Sequence, residues 1–196
     1  MDDPLGSIDE LLRRCQPSDP SVVEAVVQTY RAQVYRLALS IMDHPDEAED
    51  ATQDALIQAV AHLDRYQVGT NFRAWIFTIA VNTCRGYLRK RAARDNMHKV
   101  LYSLQSLVGR TVDPEVIVVQ GETHSRLCDL VDGLPEKQRL AVILHLTHDL
   151  SVAEVAQILN TNPKTVYSRL YKAFRSLRRQ LHRSGDYRLI KDEGIL

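Results

Sequence analysis

The stretch 71-NFRAWIFTIAVNTCRGYLRKRAAR-94 sets the reading of the whole chain. Its residues Phe72, Trp75, Ile76, Ile79, Ala80, Thr83 and Tyr87 recur at three- and four-residue steps, which predicts a helix with one buried face. Thr78, Asn82, Arg85 and Arg89 fall together on another face, with Phe77 and Val81 beside them and Lys90, Arg91 and Arg94 beyond. That second face is expected to be solvated and basic. Basic groups attract phosphate, aromatic rings stack on unpaired bases, and an Asn offers both a donor and an acceptor to a base edge. The same charge pattern also fits a plain surface helix, so the rest of the chain has to decide.

Working outward, the 196 residues are 44% hydrophobic and 26% charged, the balance of a globular protein and neither of a disordered nor of a membrane chain. Gly (8) and Pro (7) are scarce, so mostly helix is expected. The length allows one ordinary domain or two small ones. A net charge of zero conceals a polarity. From Met1 to Asp64 only Arg13, Arg14, Arg31 and Arg36 oppose a long series of acids, whereas from Lys164 to Lys191 Asp186 alone opposes a run of Lys and Arg. Two kinds of partner are implied, one basic or polar and one polyanionic.

Ahead of the opening stretch, Ile8 to Cys15 forms a short amphipathic piece stopped by Gln16-Pro17. Ser21 to Met42 predicts a helix with a stripe of Val23, Val26, Val27, Tyr30, Val34, Leu37, Ala38 and Ile41. The next helix starts at Pro45, with Asp46, Glu47, Glu49 and Asp50 in its first turns, where the helix dipole favours anions. Glu49, Asp50, Gln53 and Asp54 make an acidic, amide-bearing patch, which capping and solubility alone would also explain. Thr70 is the expected cap of the opening helix.

Beyond Arg94 the helical pattern weakens, and Gly109 and Asp113-Pro114 read as linker, so a domain boundary is placed there. Helical pattern resumes over Gly121 to Val131. A helix from Leu134-Pro135-Glu136 to about Thr147 offers Ala141, Val142, Leu144 and Leu146 for burial. Ser151 and Glu154 then form a capping box for a short helix, Val152 to Leu159. After the turn Asn160-Thr161-Asn162, Pro163 opens a helix with the stripe Val166, Leu170, Ala173, Phe174, Leu177 and Leu181. Short helix, tight turn and longer basic helix make a helix-turn-helix. Lys164, Thr165, Tyr167, Ser168, Arg169, Tyr171 and Lys172 occupy the exposed first turns that enter a major groove, and Arg175, Arg178 and Arg179 lie where phosphate contact is expected.

Cys15, Cys84 and Cys128 are far apart and form no CxxC pair, and no signal peptide or long apolar run is present; a cytoplasmic protein with reduced thiols is expected. His145 and His148 stand at i and i+3 with no further ligand near in sequence, so no metal site is expected. Nothing forms a nucleophile and base pair or a phosphate-binding Gly loop, so neither an enzyme nor a cofactor is expected.

In order and spacing these pieces resemble the bacterial RNA polymerase sigma factors of the extracytoplasmic-function group. Ala48-Glu49-Asp50 with Gln53 and Asp54 is similar to the family's A-E-D-x-x-Q-E segment, and Phe72 to Asn82 to its F-x-A-W-L-x-x-I-A-x-N segment. Leu134-Pro135, Leu150-Ser151 with Glu154-Val155-Ala156, and Thr165-Val166 with Ser168-Arg169-Leu170 follow its L-P, L-S-x-x-E-I-A and T-V-x-S-R-L pattern. The resemblance implies an all-α fold of two small helical domains joined by a linker. These are a front domain over 1–94, a linker over 95–120 passing toward the polymerase active site, and a helix-turn-helix domain over 121–183; the tail 184–196 has no assignment. It implies that Glu49, Asp50, Gln53 and Asp54 dock on the β′ clamp of core RNA polymerase, with the β flap a second contact. It places Asn82 and Tyr66 near a flipped base of the −10 element and Arg85, Arg89 and Lys90 on its backbone. Lys164, Thr165, Tyr167, Ser168, Arg169, Tyr171, Lys172 and Arg175 would read the −35 element. Trp75 is expected in the core. Promoter DNA and an anti-sigma protein are the further partners implied, with no direct insertion into a membrane.

Ala51, Thr52 and Leu56 depart from the larger apolar residues usual there, and Tyr167 and Phe174 stand where basic residues are frequent. Two other readings make different demands. A helix-turn-helix repressor would bind a palindrome as a dimer without polymerase. A helical adaptor would show no salt-dependent DNA binding.

Overall fold

The computed structural model describes residues 4–107 and 130–184, with side chains over 8–94 and 130–181. The chain divides into two compact units, Met1–Val116 and Ile117–Leu196. Among the described residues every regular element is helical.

In the first unit α1 (Pro4–Arg14) precedes α2 (Pro20–Met42), α3 (Pro45–Ala61), a 3₁₀ turn at Leu63–Arg65 and the long α4 (Phe72–Leu107). Asp19 caps α2 by accepting from the Ser21 N–H and Oγ at 2.9 and 2.7 Å, and those bonds hold its carboxyl below the usual range. Asp43, left-handed at φ 56°, closes the helix by donating its N–H to the Leu39 carbonyl. The stripe of α2 runs through Val22, Val26, Tyr30, Val34, Leu37, Ala38, Ile41 and Met42, which shifts it to Val22 and Met42 and leaves Val23 and Val27 half-buried. On α3 the small residues Ala48, Ala51, Thr52, Ala55 and Ala59, together with Leu56, are buried. The Thr52 hydroxyl, deprived of water, donates to the Ala48 carbonyl at 2.6 Å.

Helix α4 packs on α1, α2 and α3 at once. Its buried arc is therefore wider than the sequence pattern suggested. Phe72, Ala74, Ile76, Phe77, Ala80, Val81 and Cys84 are buried, while Trp75, Ile79 and Tyr87 are only half-buried. Phe77 and Val81, expected beside the basic face, belong to the core. The cap is Asn71, whose Oδ1 accepts from the Ala74 N–H at 2.9 Å, whereas Thr70 turns its hydroxyl back to the Gln67 carbonyl at 2.7 Å. The helix does not stop near Arg94 but continues to Leu107, because no Pro or Gly interrupts 95–107. The rest of the expected linker, most of the helical pattern Gly121 to Val131, and the tail beyond Ser184 lie outside the described residues.

In the second unit α5 (Glu136–Val142) runs into a π-helical turn at Ile143–Thr147, followed by α6 (Val152–Ile158) and α7 (Pro163–Ser184). The wider turn replaces the end of the single helix expected to Thr147 and buries Ile143 and Leu144, leaving Leu146 at 39% exposure. His145 Nδ1 lies 2.7 Å from the Leu150 carbonyl and fixes the exit from this turn. Both α5 and α6 pack on α7.

Candidate nucleic-acid interface

Three faces carry the residues singled out from sequence. On α3, Glu49, Asp50, Gln53 and Asp54 are all exposed, so that patch exists as a surface. Ile57, one turn further along the same side, is 59% exposed, an apolar side chain that the sequence reading passed over. The patch is braced by its neighbours. Arg31 on α2 pairs with Glu49 at 2.9 Å, and the Tyr87 hydroxyl on α4 donates to Asp54 Oδ2 at 2.8 Å. That bond to a carboxylate, with the local burial, pushes the Tyr87 phenol up to about 12.

On α4, Asn82, Arg89 and Lys90 are exposed and Arg85 is half-buried. Lys90 lies 5.7 Å from the centre of the Tyr87 ring, within cation–π range. Further along, Arg91 and Arg94 turn back to α3 and reach Glu47 at 3.1 and 3.9 Å. Glu47 thus joins the basic middle of α4 to the acidic start of α3 across a sequence separation that no helical spacing reveals. Tyr66, expected beside a flipped base, is buried. It is 6% exposed and packs its ring 4.8 Å from Phe72 and 5.5 Å from Trp75, while Phe72 lies 5.2 Å from Tyr30. Burial raises the Tyr66 phenol above its ordinary value, and the Asp9 carboxylate that accepts its proton adds to the rise. Trp75 is half-buried against this cluster, which agrees with a packing role.

On α7 the expected reading residues do come together. Lys164, Tyr167, Ser168, Tyr171, Lys172 and Arg175 are exposed, Thr165 and Arg169 are half-buried, and Val166, Leu170 and Ala173 turn into the core. Tyr167 and Tyr171 reach 64% and 68% exposure. Local chemistry sets the helix at this angle. Ser151 and Glu154 form the capping box of α6: the Ser151 Oγ accepts from the Glu154 N–H at 3.3 Å and Glu154 Oε2 accepts from the Ser151 N–H at 2.8 Å. Asn160 takes the left-handed turn position at φ 45°. Asn162 then caps α7, its Oδ1 accepting from the Thr165 N–H at 2.7 Å with Pro163 at the first helical position.

Two of these faces are basic and one is acidic. Among the described residues, no cluster of His, Cys, Asp and Glu is arranged to hold a metal, and no helix is long and apolar enough to cross a membrane.

Comparison with known proteins matches two separate segments of the chain. A family model described as Sigma-70 region 2 matches residues 26–94, and one described as Sigma-70, region 4 matches residues 125–177. The chain is 27% identical over 180 residues to the ECF RNA polymerase sigma factor SigW of Bacillus subtilis, covering 89% of this chain and 96% of that protein. It is similar to the sigma factor RpoE of Bartonella quintana, solved with the anti-sigma factor NepR, at 26% identity and a TM-score of 0.58, over 81% of this chain and 96% of that one. The fold is also that of CnrH, solved with the cytosolic domain of CnrY, at 21% identity and a TM-score of 0.64, over 92% and 98% of the two chains.

Proposed function

This chain belongs to the sigma-70 family as a sigma factor of the extracytoplasmic-function group, and from that premise we propose how its three faces divide the work of transcription initiation. A sigma factor is an initiation factor and not an enzyme: it binds core RNA polymerase and directs it to promoters. The observation that carries the division is that each matched region contains an exposed, chemically distinct helix face braced by local contacts.

Glu49, Asp50, Gln53 and Asp54, with the exposed Ile57 as an apolar centre, dock on the β′ clamp, where a small apolar anchor ringed by polar groups suits a protein interface. Asn82 meets an unpaired base of the −10 element, with Arg85, Arg89 and Lys90 along the phosphates. The buried Tyr66 supports the loop beneath that strand. Lys164, Thr165, Tyr167, Ser168, Arg169, Tyr171 and Lys172 read the −35 duplex in the major groove, with Arg175 on the backbone. The assignment of domains follows: the front domain over 1–94, the linker over 95–120 and the helix-turn-helix domain over 121–183. The β flap is the second polymerase contact. Holding the duplex at one point while capturing the opened strand at another shifts promoter DNA toward the open state by differential affinity. Because the relative from Bartonella quintana was solved with an anti-sigma factor, an anti-sigma protein is a partner of this chain as well, and both act in the cytoplasm.

Run-off transcription with purified core polymerase on a promoter library tests this, comparing core alone, core with this chain, and core with the Asn82→Ala variant. Specific starts that require the chain and weaken with the variant are expected. Starts that do not respond to Asn82→Ala would remove the base-reading role from α4.

A further inference from the structure

Helix α1 lies ahead of the region 2 match, which begins at 26, yet it reaches the loop that feeds α4. Ile8 is fully buried and anchors α1, which packs on α2 and α4. Next to it, Asp9 turns its carboxylate to the loop. Oδ1 accepts from the Tyr66 hydroxyl at 2.9 Å and Oδ2 accepts from the Gly69 N–H at 2.9 Å. The Tyr66 hydroxyl also lies 2.7 Å from the Thr70 carbonyl, so its proton sits between two acceptors. Gly69 is at φ 91°, a conformation that L side chains rarely adopt, and the end of the Arg13 guanidinium stands 3.9 Å from where a Cβ would be. The loop is gripped from within by the Tyr66 ring and from outside by α1. Gln67 and Val68 remain exposed at its tip.

This grip has a functional meaning. Loop 66–70 ends at the first turn of α4, the helix assigned to the unpaired promoter strand. A free loop would lose its conformational freedom at each binding event, whereas a loop already held by charge-assisted bonds does not. We propose that α1 is a positioning element for the −10 surface, with Asp9 fixing loop 66–70 in the shape in which its exposed residues meet the unpaired strand. The proposal rests on the −10 assignment of α4 made above. Asp9 touches no DNA; it acts through Tyr66 and Gly69.

The test is run-off transcription by holoenzyme reconstituted from core polymerase and the full chain, on promoters randomised in the −10 and −35 elements. Asp9→Ala, Tyr66→Phe, their double variant and Asn82→Ala are compared, with folding followed by Trp75 fluorescence. Asp9→Ala is expected to flatten −10 base preference by roughly tenfold, the scale of one lost charge-assisted contact, and to leave −35 preference intact. Tyr66→Phe keeps the ring and shifts −10 preference the same way by less. Because the two singles share one contact, the double variant falls short of the product of their effects. If Asn82→Ala flattens −10 preference while Asp9→Ala does not, the positioning role is overturned and the α4 assignment stands. If neither does, both fall. A drop in total transcript with unchanged preference marks Asp9 as merely structural and also overturns the proposal. Should Asp9→Ala not fold, Tyr66→Phe decides, and an unchanged −10 preference there overturns it.

Discussion

The front unit ties part of its surface charge together across helices, whereas the exposed cations of α7 in the back unit enter no such ties among the described residues. Across α2, α3 and α4, Glu49 pairs with Arg31, Glu47 with Arg91, and Asp54 accepts from Tyr87. On α7, Lys164, Lys172 and Arg175 are exposed, and among the described residues no ion pair engages them. The difference fits what each surface is proposed to meet. On the proposed assignment, a front that presents an acidic face to a protein and a basic face to a strand has to keep two adjacent helices in register, and cross-helix polar bonds do that. Such exposed pairs add little stability each, but they fix geometry. A helix entering duplex DNA needs its long cations free to neutralise phosphates, and free side chains keep the full electrostatic gain. The core of the front includes the rings of Tyr30, Tyr66 and Phe72, whereas the buried residues described at the back are aliphatic apart from His148.

The sharpest way to break this comparison is to remove the aromatic centre of the front. Phe72 is fully buried and contacts Tyr30, Tyr66 and Trp75, so Phe72→Ala is expected to cost about 3–5 kcal/mol, lost ring packing plus a cavity. Trp75, the single tryptophan, reports the front alone. In urea its fluorescence midpoint should fall steeply while DNA binding by the back unit persists. Loss of both together would show that the two units do not stand independently.

A smaller effect is expected at the back. Ser151→Ala removes one half of the capping box on α6 and should cost about 1 kcal/mol. Because α6 packs on α7, binding to the −35 duplex should weaken with it, and Ser151→Asp, which retains a capping oxygen, should restore most of the loss. Failure of that rescue would mean that the Ser151 hydroxyl acts in some other way than as a cap.

The smallest effect tests the bracing itself. The Tyr87 phenol is raised from 10.0 to about 12 by its bond to Asp54. A raised acid contributes stability that is complete below its unfolded value and is lost as pH rises through the folded one. The wild type should therefore lose more stability than Tyr87→Phe between about pH 10 and about pH 12, read as the pH dependence of the Trp75 melting midpoint. Parallel curves would show that the Tyr87 bond to Asp54 does not persist in solution. Other groups titrate in the same range, including the Cys84 thiol that burial pushes up to about 12, so only the difference between the two proteins carries the result.

Much of this was legible in the sequence because it is local. The capping box at Ser151 and Glu154, the turn through Asn160, and the start at Pro163 place α7 by contacts within a few residues, and its stripe emerged at Val166, Leu170, Ala173, Leu177 and Leu181, with Phe174 only half-buried. The acidic patch of α3 was equally readable, since a helix start and a four-residue step fix which side chains share a face. The cap at Asn71 instead of Thr70 was a one-residue ambiguity between two good capping side chains, and Thr70 lost it by bonding back to Gln67.

By itself, then, the sequence determined that the chain is helical, that a helix-turn-helix lies near its end, and that family motifs stand in both halves. Only the tertiary structure decided that Phe77 and Val81 are core, that Tyr66 lies under a loop held by Asp9, and that Glu47 answers Arg91. Helical periodicity tells which residues share a face of one helix. How wide the buried arc is, and which distant charge answers it, depends on how many neighbours pack around that helix, and α4 has three.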